Sequence, residues 1–443
     1  MRTFRMGGVH PADKKISKDA AIERLPLPKT VYISMGQHLG APAEPCVAVG
    51  DKVKVGQLIA NPTGFVSAPV HSSVSGTVKS IEMVKDLAGR AGKAVVIDVE
   101  GDEWMEDIDR SQDIVREIKL DKKEIVDRIK ACGVVGLGGA TFPTNVKLSP
   151  PPTATPTCVI INGAECEPYL SSDYREMMER PQDMIDGIKL CLDLSGVPTS
   201  LICIEDNKPK AIDLLRKLAA DDPRIQVLEL PARYPQGASR VILKNATGRA
   251  VPAGGHLTDV GAILFNCTTM GEIARYVRTG MPLIQRRITV MGDAVANPQN
   301  LMVYVGTPTG EVLEYCGLSC EPAKVIAGGP MMGNTQIDME YPIIRQQSGL
   351  LAFSEAMCGR RETTACIHCD KCISSCPMRL SPVNIQKAYR KGDVAQLDAL
   401  HADICVGCGI CSYVCPAKQP LTQSVGLAGK LLKAEKRKAK GRR

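Results

Sequence analysis

The chain has 443 residues, of which 44% are hydrophobic and only 4% aromatic, so it has room for about three or four domains with aliphatic cores. Its net charge of +7 is concentrated at one end, because residues 430–443 hold eight basic residues and one acid. A basic nucleic-acid-binding surface is therefore not indicated, and no apolar run approaches the length of a membrane span. The N-terminal residues lack the apolar stretch of a signal peptide, so we expect a cytoplasmic address.

Residues 26–100 have the pattern of short β-strands separated by turns, most clearly in the segments 47–60 and 67–78. The segment is similar to the barrel-sandwich fold of biotinyl and lipoyl carrier domains. Those carriers need a lysine at a hairpin tip, and the corresponding segment 69–76 contains none. We therefore expect the carrier fold without the carrier function, with His71 as a loop or packing residue.

The next part of the chain alternates helices and strands, which is typical of an α/β domain with a central sheet. A helix is predicted at 121–132, with Ile125, Val126 and Ile129 as its apolar residues. The predicted strands are 157–161 and 200–204, and the next predicted helix is 209–218. Residues 287–333 return to β character and are predicted to form a compact α+β module.

The glycine-rich segment 136–147 is a candidate phosphate-binding loop. Glycines let backbone N–H groups approach a phosphate closely, and a lysine adds charge. Many such loops are only turns, and this one lacks the form of a nucleotide triphosphate loop. Its candidate ligand-binding residues are Gly136, Gly138, Gly139, Ala140, Phe142 and Lys147.

A second candidate segment, residues 162–168, directly follows a predicted strand and carries Asn162, Glu165 and Glu167. Ligands of open α/β sheets bind at the carboxyl ends of strands, where acidic groups can bond ribose hydroxyls or a carboxamide. The alternative is a helix N-terminus stabilised by nearby acids.

Eight of the 18 cysteines form two copies of the pattern Cys-x2-Cys-x2-Cys-x3-Cys-Pro. Three thiolates at this spacing hold one cubane, and the fourth reaches the other cluster. Disulfides do not explain two identical spacings, and zinc usually closes with two Cys-x2-Cys pairs. The sequence therefore predicts two 4Fe-4S clusters, with crossed ligand sets: Cys366, Cys369, Cys372 and Cys415 for one, and Cys376, Cys405, Cys408 and Cys411 for the other.

A helical insert is predicted between the two cysteine runs. Ser381 and Pro382 begin one helix, which continues through Tyr389, and Gly392 and Asp393 end it and start another. This insert favours the all-helical type of two-cluster ferredoxin. The basic end of the chain is typical of a disordered tail, or of one that docks on anionic lipid or on a partner.

The glycine-rich and acidic segments together resemble the NADH-oxidising flavoprotein subunit of respiratory complex I. That family has an arginine where this chain has Leu137, and a glycine where it has Thr141. A third family segment resembles residues 265–269. The resemblance implies FMN beside Asn266, Thr268 and Thr269, with nicotinamide stacked on it. It also implies dinucleotide contacts from Phe142 and from Glu165 or Glu167.

The opening segment 4–11, the segments 234–237, 251–255 and 288–295, and the paired cysteine runs follow one another in a family order. On these segments the whole chain, over residues 1–425, resembles the C subunits of the Rnf electron-transport complex. This resemblance implies FMN, an NAD(H) site and two 4Fe-4S clusters in a peripheral subunit on the cytoplasmic side of the cell membrane. Its partners would be the integral membrane subunits and an iron-sulfur subunit that accepts electrons from ferredoxin. The expected activity is a ferredoxin:NAD+ oxidoreductase that transports Na+ or H+.

We predict a multidomain α/β protein with a Rossmann-like flavin domain. Its expected divisions are an N-terminal extension (1–25), a barrel-sandwich hybrid (26–100), the FMN/NAD(H)-binding domain (115–285), an SLBB-type β-grasp domain (286–345), a two-cluster α-helical ferredoxin domain (346–426) and a basic tail (427–443).

A flavin would convert between the two-electron chemistry of nicotinamide and the one-electron chemistry of the clusters. Hydride transfer needs no acid–base residue, and none is nominated. Two alternatives stay open: a soluble NADH-dependent iron-sulfur flavoprotein of the hydrogenase, formate dehydrogenase or corrin reductase type, and an electron-wire or docking subunit without nucleotide. The first subunit of the sodium-pumping quinone reductase is also related, but it lacks the clusters.

Overall fold

A computed structural model describes residues 6–85, 89, 91–111, 118, 120–149, 154–358 and 362–441. Phe4 and Arg5 of the Rnf-like opening lie outside these residues, as do the first residues of the expected 115–285 domain and the last two of the basic tail. Four modules follow one another along the described chain, each with its own apolar cluster. A short strand, β1 (Ile22–Arg24), precedes them.

The first module, called the sandwich module, consists of two small sheets that share one core. Val31, Ile33, Val95 and Ile97 point inward from paired strands and are fully buried. The sheet orders are β2-β8-β7-β4 and β3-β5-β6. The strands are β2 (Thr30–Ser34), β3 (Glu44–Pro45), β4 (Lys52–Val53), β5 (Leu58–Asn61), β6 (Val70–His71), β7 (Gly76–Lys85) and β8 (Ala91–Val99). His71 is buried, which is the packing role expected for it.

The second module, the parallel-sheet domain, has four parallel strands flanked by helices, in the order β11-β10-β9-β12. Its elements are α1 (Lys122–Ala131), α2 (Thr144–Leu148), β9 (Cys158–Gly163), α3 (Ser172–Glu179), α4 (Pro181–Ser195), β10 (Ser200–Glu205), α5 (Pro209–Ala219), β11 (Ile225–Leu230), α6 (Ser239–Thr247), a 3-10 turn (Leu257–Val260), β12 (Ala262–Asn266) and α7 (Cys267–Thr279).

Three of these elements confirm the sequence predictions for the domain within two residues at each end: β9, β10 and α5. Helix α1 also forms where expected, because Asp121 and Glu124 make a capping box at its start. Only Ile125 and Ile129 of its three predicted apolar residues are buried, whereas Val126 is exposed. At the carboxyl ends of the central strands, Asn162 of β9 pairs with Asn266 of β12.

The third module, the mixed-sheet module, packs helix α8 on a six-stranded sheet of order β1-β14-β13-β17-β15-β16. Its elements are β13 (Gln285–Met291), β14 (Gln299–Tyr304), α8 (Thr309–Cys316), β15 (Lys324–Ala327), β16 (Asn334–Gln336) and β17 (Gly349–Phe353). The α+β character is as predicted, but the boundaries differ. Strand β17 pairs with β13 and β15, so the module extends past the expected limit at residue 345, and β1 of the expected N-terminal extension also belongs to it.

The fourth module, the cysteine domain, is helical in its described residues. Its elements are α9 (Glu355–Cys358), α10 (Lys371–Ser374), α11 (Pro382–Lys391), α12 (Val394–Ala399), a 3-10 turn (Ala402–Ile404), α13 (Ile410–Tyr413) and α14 (Leu421–Gly441). The two-helix insert, α11 and α12, forms as predicted. No helix in the described part of the chain is both long enough and apolar enough to cross a membrane.

Of the two alternatives for the basic tail, a disordered end is wrong for its described residues, because α14 continues through Gly441. Docking on anionic lipid or on a partner stays a prediction. Val425, Ala428 and Leu432 recur on one face of this helix and are buried in the core of the cysteine domain. Lys436 pairs with Asp398 at 2.7 Å and with Asp403 at 2.8 Å. The expected boundary at residue 427 therefore falls inside a packed helix.

The segment before β1 contacts three of the four modules. The amide of Gly8 donates to the Ser375 carbonyl in the cysteine domain at 2.9 Å. Val9 and Tyr234 exchange backbone hydrogen bonds with each other, which ties the segment to the parallel-sheet domain. Farther along, the Asn300 side chain in the mixed-sheet module donates to the Ser17 carbonyl at 2.8 Å.

Candidate nucleotide and iron-sulfur sites

A cavity of about 470 Å³, called the nucleotide cavity, opens at the carboxyl ends of β9 and β12. This is where open α/β sheets bind ligands, and the volume is ordinary for a cofactor site. Nine of the twelve predicted binding residues line it: Gly136, Gly138, Gly139, Ala140, Lys147, Asn162, Glu165, Glu167 and Asn266.

The glycine-rich loop presents unused backbone donors to the cavity. The turn is closed by mutual bonds, from the Gly136 amide to the Phe142 carbonyl and from the Thr141 amide to the Gly136 carbonyl. Among the described contacts, the amides of Gly138, Gly139 and Ala140 donate to nothing. Gly139 has a φ of +97°, which only glycine adopts without strain. Three free N–H groups in one exposed turn fit an anionic phosphate.

Lys147 adds a cation behind the same loop. Its ammonium donates to the Leu264 carbonyl at 3.1 Å, and it lies 5.3 Å from the centre of the Phe265 ring. No described carboxylate lies within ion-pair distance of it, and burial lowers its pKa to about 8. A half-buried ammonium without a described counter-ion, beside free amides, fits a site that receives an anion.

A hydrogen-bonded group behind the cavity connects α3 and the glycine-rich loop to the end of β12 and the start of α7. Asp173 accepts from the Asn266 side chain at 2.7 Å and from the Thr268 hydroxyl at 2.8 Å. The Thr269 hydroxyl accepts from the Leu137 amide at 3.0 Å. Thr268 and Thr269 therefore lie behind the cavity wall and position it, instead of lining it beside a flavin as the resemblance implied.

Glu165 lines the cavity, but its carboxylate is already engaged by the protein. Its two oxygens accept from the amides of Asp173, at 2.6 Å, and Tyr174, at 3.2 Å, so it caps the start of α3. Lys15 donates to the Glu165 carbonyl at 2.6 Å. Burial raises the pKa of Glu165 to about 7. Glu165 therefore fits the alternative interpretation of this segment, in which acidic side chains stabilise a helix N-terminus.

Glu167 lies where three modules meet. One oxygen accepts from the Met331 amide at 3.0 Å, and the other lies 3.4 Å from the Tyr234 hydroxyl. The same hydroxyl donates to the carbonyl of Cys408 at 2.8 Å. Burial raises the pKa of Glu167 to about 7. The acid therefore connects the wall of the cavity to the cysteine domain.

Phe142 is half-buried and does not line the nucleotide cavity. Its carbonyl accepts from the Gly136 amide and so helps to close the glycine-rich turn. The expected stacking on a dinucleotide is therefore not supported by its position. Sequence analysis also missed part of the wall, which comes from Gly328, Gly329 and residues 346–348 of the mixed-sheet module. The adjacent glycines were the one sequence signal for that contribution.

The eight cysteines of the two runs separate into two cavities, and they do so in the crossed arrangement. One cavity, called the outer cavity, is lined by Cys366, Cys369, Cys372 and Cys415. The other, called the inner cavity, is lined by Cys376, Cys405, Cys408 and Cys411. In each, the fourth cysteine of one run joins three from the other run, as the 4Fe-4S spacing predicts.

The donor chemistry of these cavities fits iron-sulfur clusters better than a single ion. No group of three or more His, Cys, Asp or Glu side chains converges on one ion position within the described residues. A cubane is larger than an ion, so its four cysteines surround a space instead of meeting at a point. Burial raises the pKa of Cys408 to about 12 and that of Cys411 to about 11, so iron binding would release protons.

The inner cavity adjoins the nucleotide cavity, and the outer cavity is closer to solvent. Val406 lines both the inner cavity and the nucleotide cavity. Cys366 and Cys369 of the outer cavity are exposed, whereas Cys408 of the inner cavity is buried. The order from the interior outwards is therefore nucleotide cavity, inner cavity, outer cavity.

We expect Tyr234→Phe to lower the free energy of unfolding by about 1 kcal/mol, because it removes the hydroxyl that bonds the Cys408 carbonyl and faces Glu167. Flavin and iron contents should not change. Denaturant unfolding of the purified protein measures the effect, with the exposed Tyr315→Phe as the control. Equal stability of the two variants would contradict the bridging role of the hydroxyl.

Comparison with known families matches three domains to this chain. Residues 3–102 match the RnfC barrel sandwich hybrid domain, residues 129–275 match the Nuo51 FMN-binding domain, and residues 365–419 match a 4Fe-4S dicluster domain. These ranges contain the sandwich module, the loops of the nucleotide cavity and both cysteine runs.

Similar proteins extend the match over most of the chain. The C subunit of the proton-translocating ferredoxin:NAD(+) oxidoreductase complex of Clostridium ljungdahlii is 42% identical over 86% of this chain and 83% of its own length. The C subunit of the Na(+)-translocating ferredoxin:NAD(+) oxidoreductase complex of Acetobacterium woodii is 39% identical over 98% of both chains. The corresponding C subunit of the ion-translocating oxidoreductase complex of Rhodobacter capsulatus is 36% identical, over 98% of this chain and 84% of that one.

Proposed function

This chain belongs to the family of Rnf-complex C subunits, and we propose on that basis that it is the NAD(H)-oxidoreducing subunit of a membrane-bound ferredoxin:NAD+ oxidoreductase. The observation that carries the proposal is that Val406 lines both the nucleotide cavity and the inner cavity. A cavity suited to a nucleotide therefore lies next to one lined by four cysteines. Electrons exchanged at the first cavity have a short route into the second.

FMN is the group that we assign to the nucleotide cavity. When bound, it would exchange two electrons with nicotinamide and pass them on singly. The amides of the glycine-rich loop and the Lys147 ammonium would hold its phosphate, while Asn162 and Asn266 lie at the strand ends beside it. The dinucleotide would enter from the open side, where Glu165 and Glu167 fix the backbone around it. No side chain is needed to move a proton in the hydride step.

We assign one 4Fe-4S cluster to the inner cavity and one to the outer cavity. Their order makes the inner four cysteines the contact with the flavin and the outer four the contact with other subunits. The exposure of Cys366 and Cys369 supports this direction, because electron exchange with a partner needs a cluster near the surface.

The chain would act within an assembly. We infer that it is peripheral, on the cytoplasmic side of the cell membrane, with integral membrane subunits and a ferredoxin-accepting iron-sulfur subunit as partners. The relatives at 42% and 39% identity are named for different ions, H+ and Na+. We therefore assign the choice of ion to the other subunits.

Anaerobic purification followed by NADH titration tests the proposal. We expect about one FMN and about eight irons per chain, and bleaching of the flavin by NADH before the iron-sulfur absorbance falls. Iron without FMN would favour the electron-wire alternative, and FMN that NADH does not reduce would contradict the enzymatic proposal. NADH-dependent electron transfer from this chain to soluble partner proteins, with no membrane subunit present, would favour the soluble flavoprotein alternative.

A further inference from the structure

A buried arginine of the mixed-sheet module extends to the wall of the nucleotide cavity. Arg286 lies on β13 and is almost fully buried. Its Nε donates to the Gln347 carbonyl at 2.8 Å, and its Nη2 donates to the Leu137 carbonyl at 2.8 Å. Leu137 and Gln347 both line the cavity, one in the glycine-rich loop and one in the mixed-sheet module. The guanidinium thus lies directly behind two facing parts of the wall.

The charge of this guanidinium is not balanced by the protein nearby. Among the described ion pairs of Arg287 and its neighbours, none includes Arg286, although Asp173 lies near enough to act on its charge. The neighbouring acids have other partners: Glu176 and Glu272 both pair with Arg287, and Asp173 accepts from two side chains. Burial lowers the pKa of Arg286, and the attraction of Asp173, Glu272 and Glu176 offsets this only in part.

Together, Arg286 and Lys147 place two uncompensated cations beside the glycine-rich loop. Lys147 lies near Gly136, where a β-carbon would come within 3.4 Å of the ammonium, and Arg286 bonds the next residue, Leu137. The loop itself contributes no charge at Leu137, whose side chain is buried. A buried guanidinium is costly unless an anion compensates it, and the cavity between these residues is the open space in which one can bind.

We propose that Arg286, although it belongs to the mixed-sheet module, supplies a positive charge to an anionic or carbonyl oxygen of the nucleotide in the cavity. This inference rests on the proposed FMN site. It makes the mixed-sheet module part of the binding site, and it explains how a loop with leucine at position 137 binds an anion. The oxygen belongs either to the phosphate or to the pyrimidine edge of the flavin ring, and a positive charge directly behind the wall stabilises the negative charge of either one.

The test compares Arg286→Gln and Arg286→Lys in the purified full chain stripped of flavin. We expect Arg286→Gln to weaken FMN binding about tenfold, because it removes a positive charge from behind the wall of the cavity. Lysine keeps the charge but not the two-carbonyl geometry, so Arg286→Lys should stay within about threefold of the parent. Arg249→Gln is the matched control, because Arg249 also bonds backbone carbonyls, but those of Val260 and Gly261, which do not line the nucleotide cavity.

Riboflavin, which has no phosphate, separates the two sources of the oxygen. If the contact is to the phosphate, riboflavin affinity is equal in the parent and in Arg286→Gln. If it is to the ring, riboflavin affinity falls as well, and the midpoint potential of the bound flavin shifts downwards, because a nearby positive charge favours the reduced ring. Either result supports the proposal.

Three results would overturn it. Parental FMN affinity in Arg286→Gln would show that the charge is not used, and an equal loss in both variants would show that Arg286 is only a structural link between two carbonyls. If the unsubstituted chain binds no FMN, the proposed FMN site itself is refuted. This measurement is made first, before any variant is compared. If Arg286→Gln does not fold, Arg286→Lys still distinguishes a role of the positive charge from a purely structural role in joining the two carbonyls.

Discussion

Cys415→Ser is expected to remove one 4Fe-4S cluster. Although Cys415 belongs to the second cysteine run, the lost cluster should be the one held mainly by the first run. Cys415 lines the outer cavity with three cysteines that lie more than forty positions earlier in the sequence. The variant should therefore keep about four of about eight irons, with the inner cavity still loaded. NADH should still reduce the flavin, while electron delivery to large external acceptors is lost. Iron analysis and EPR of the reduced protein measure these effects.

Pairs of substitutions distinguish the crossed arrangement from one in which each run holds its own cluster. With crossed ligands, Cys366→Ser combined with Cys415→Ser affects a single cluster, so the double variant loses no more iron than either single one. If each run were self-contained, the same pair would destroy both clusters. Cys358→Ser is the control, because Cys358 lines neither cavity and should leave the iron content unchanged.

Lys147→Met is expected to weaken FMN binding about ten- to hundredfold, since it removes a charge-assisted contact to the phosphate. Fluorescence titration of the flavin-free protein measures this, with the exposed Lys122→Met of the same domain as control. Riboflavin affinity should change little in both. Equal loss of FMN and riboflavin would show that methionine deforms the cavity instead of removing a phosphate contact.

The pH dependence of FMN affinity and of folding stability gives a second test of the role of Lys147. Its pKa of about 8 in the ligand-free fold lies below the usual 10.5, so FMN affinity should fall as pH rises above about 8 and the ammonium loses its proton. The contribution of Lys147 to folding has the opposite trend. The unfolded chain holds this proton up to its usual pKa, so the free energy of unfolding rises with pH between about 8 and 10.5. In Lys147→Met both trends should disappear.

Local patterns predicted the parts of the molecule that depend on local geometry. The spacing of each cysteine run determines which three thiols face one space, and its proline directs the fourth elsewhere, so the crossed cavities follow from sequence. The free amides of the glycine-rich loop follow in the same way from its glycines. Helix α1 forms where Asp121 and Glu124 provide a capping box.

The contacts that connect the modules could not be predicted, because their partners are distant in sequence. Tyr234 and Cys408 are 174 positions apart, Arg286 and Leu137 are 149 apart, and Met331 and Glu167 are 164 apart. No periodicity or motif connects such residues. For the same reason the sequence identified Glu165 as an acid at a strand end but not that its carboxylate would cap α3.

The helix in the basic tail was missed for a different physical reason. Charge density there left a disordered end or a docking segment as the alternatives, but Val425, Ala428 and Leu432 repeat at the three- to four-residue spacing of a helical face. Burial of that face against the cysteine domain outweighs repulsion among exposed lysines. An apolar stripe therefore has to be tested before a charged segment is assigned to disorder.

The segment of residues 7–17 has a consequence for the order in which the protein matures. It precedes its bonding partners in the chain, because its hydrogen bonds are to Tyr234, to Ser375 in the first cysteine run, and to Asn300. At Gly7 a β-carbon would lie 2.6 Å from the Ser375 carbonyl oxygen, so the two backbones pack directly against each other there. Residues 7–17 therefore cannot take up this position until the chain has been synthesised past Ser375.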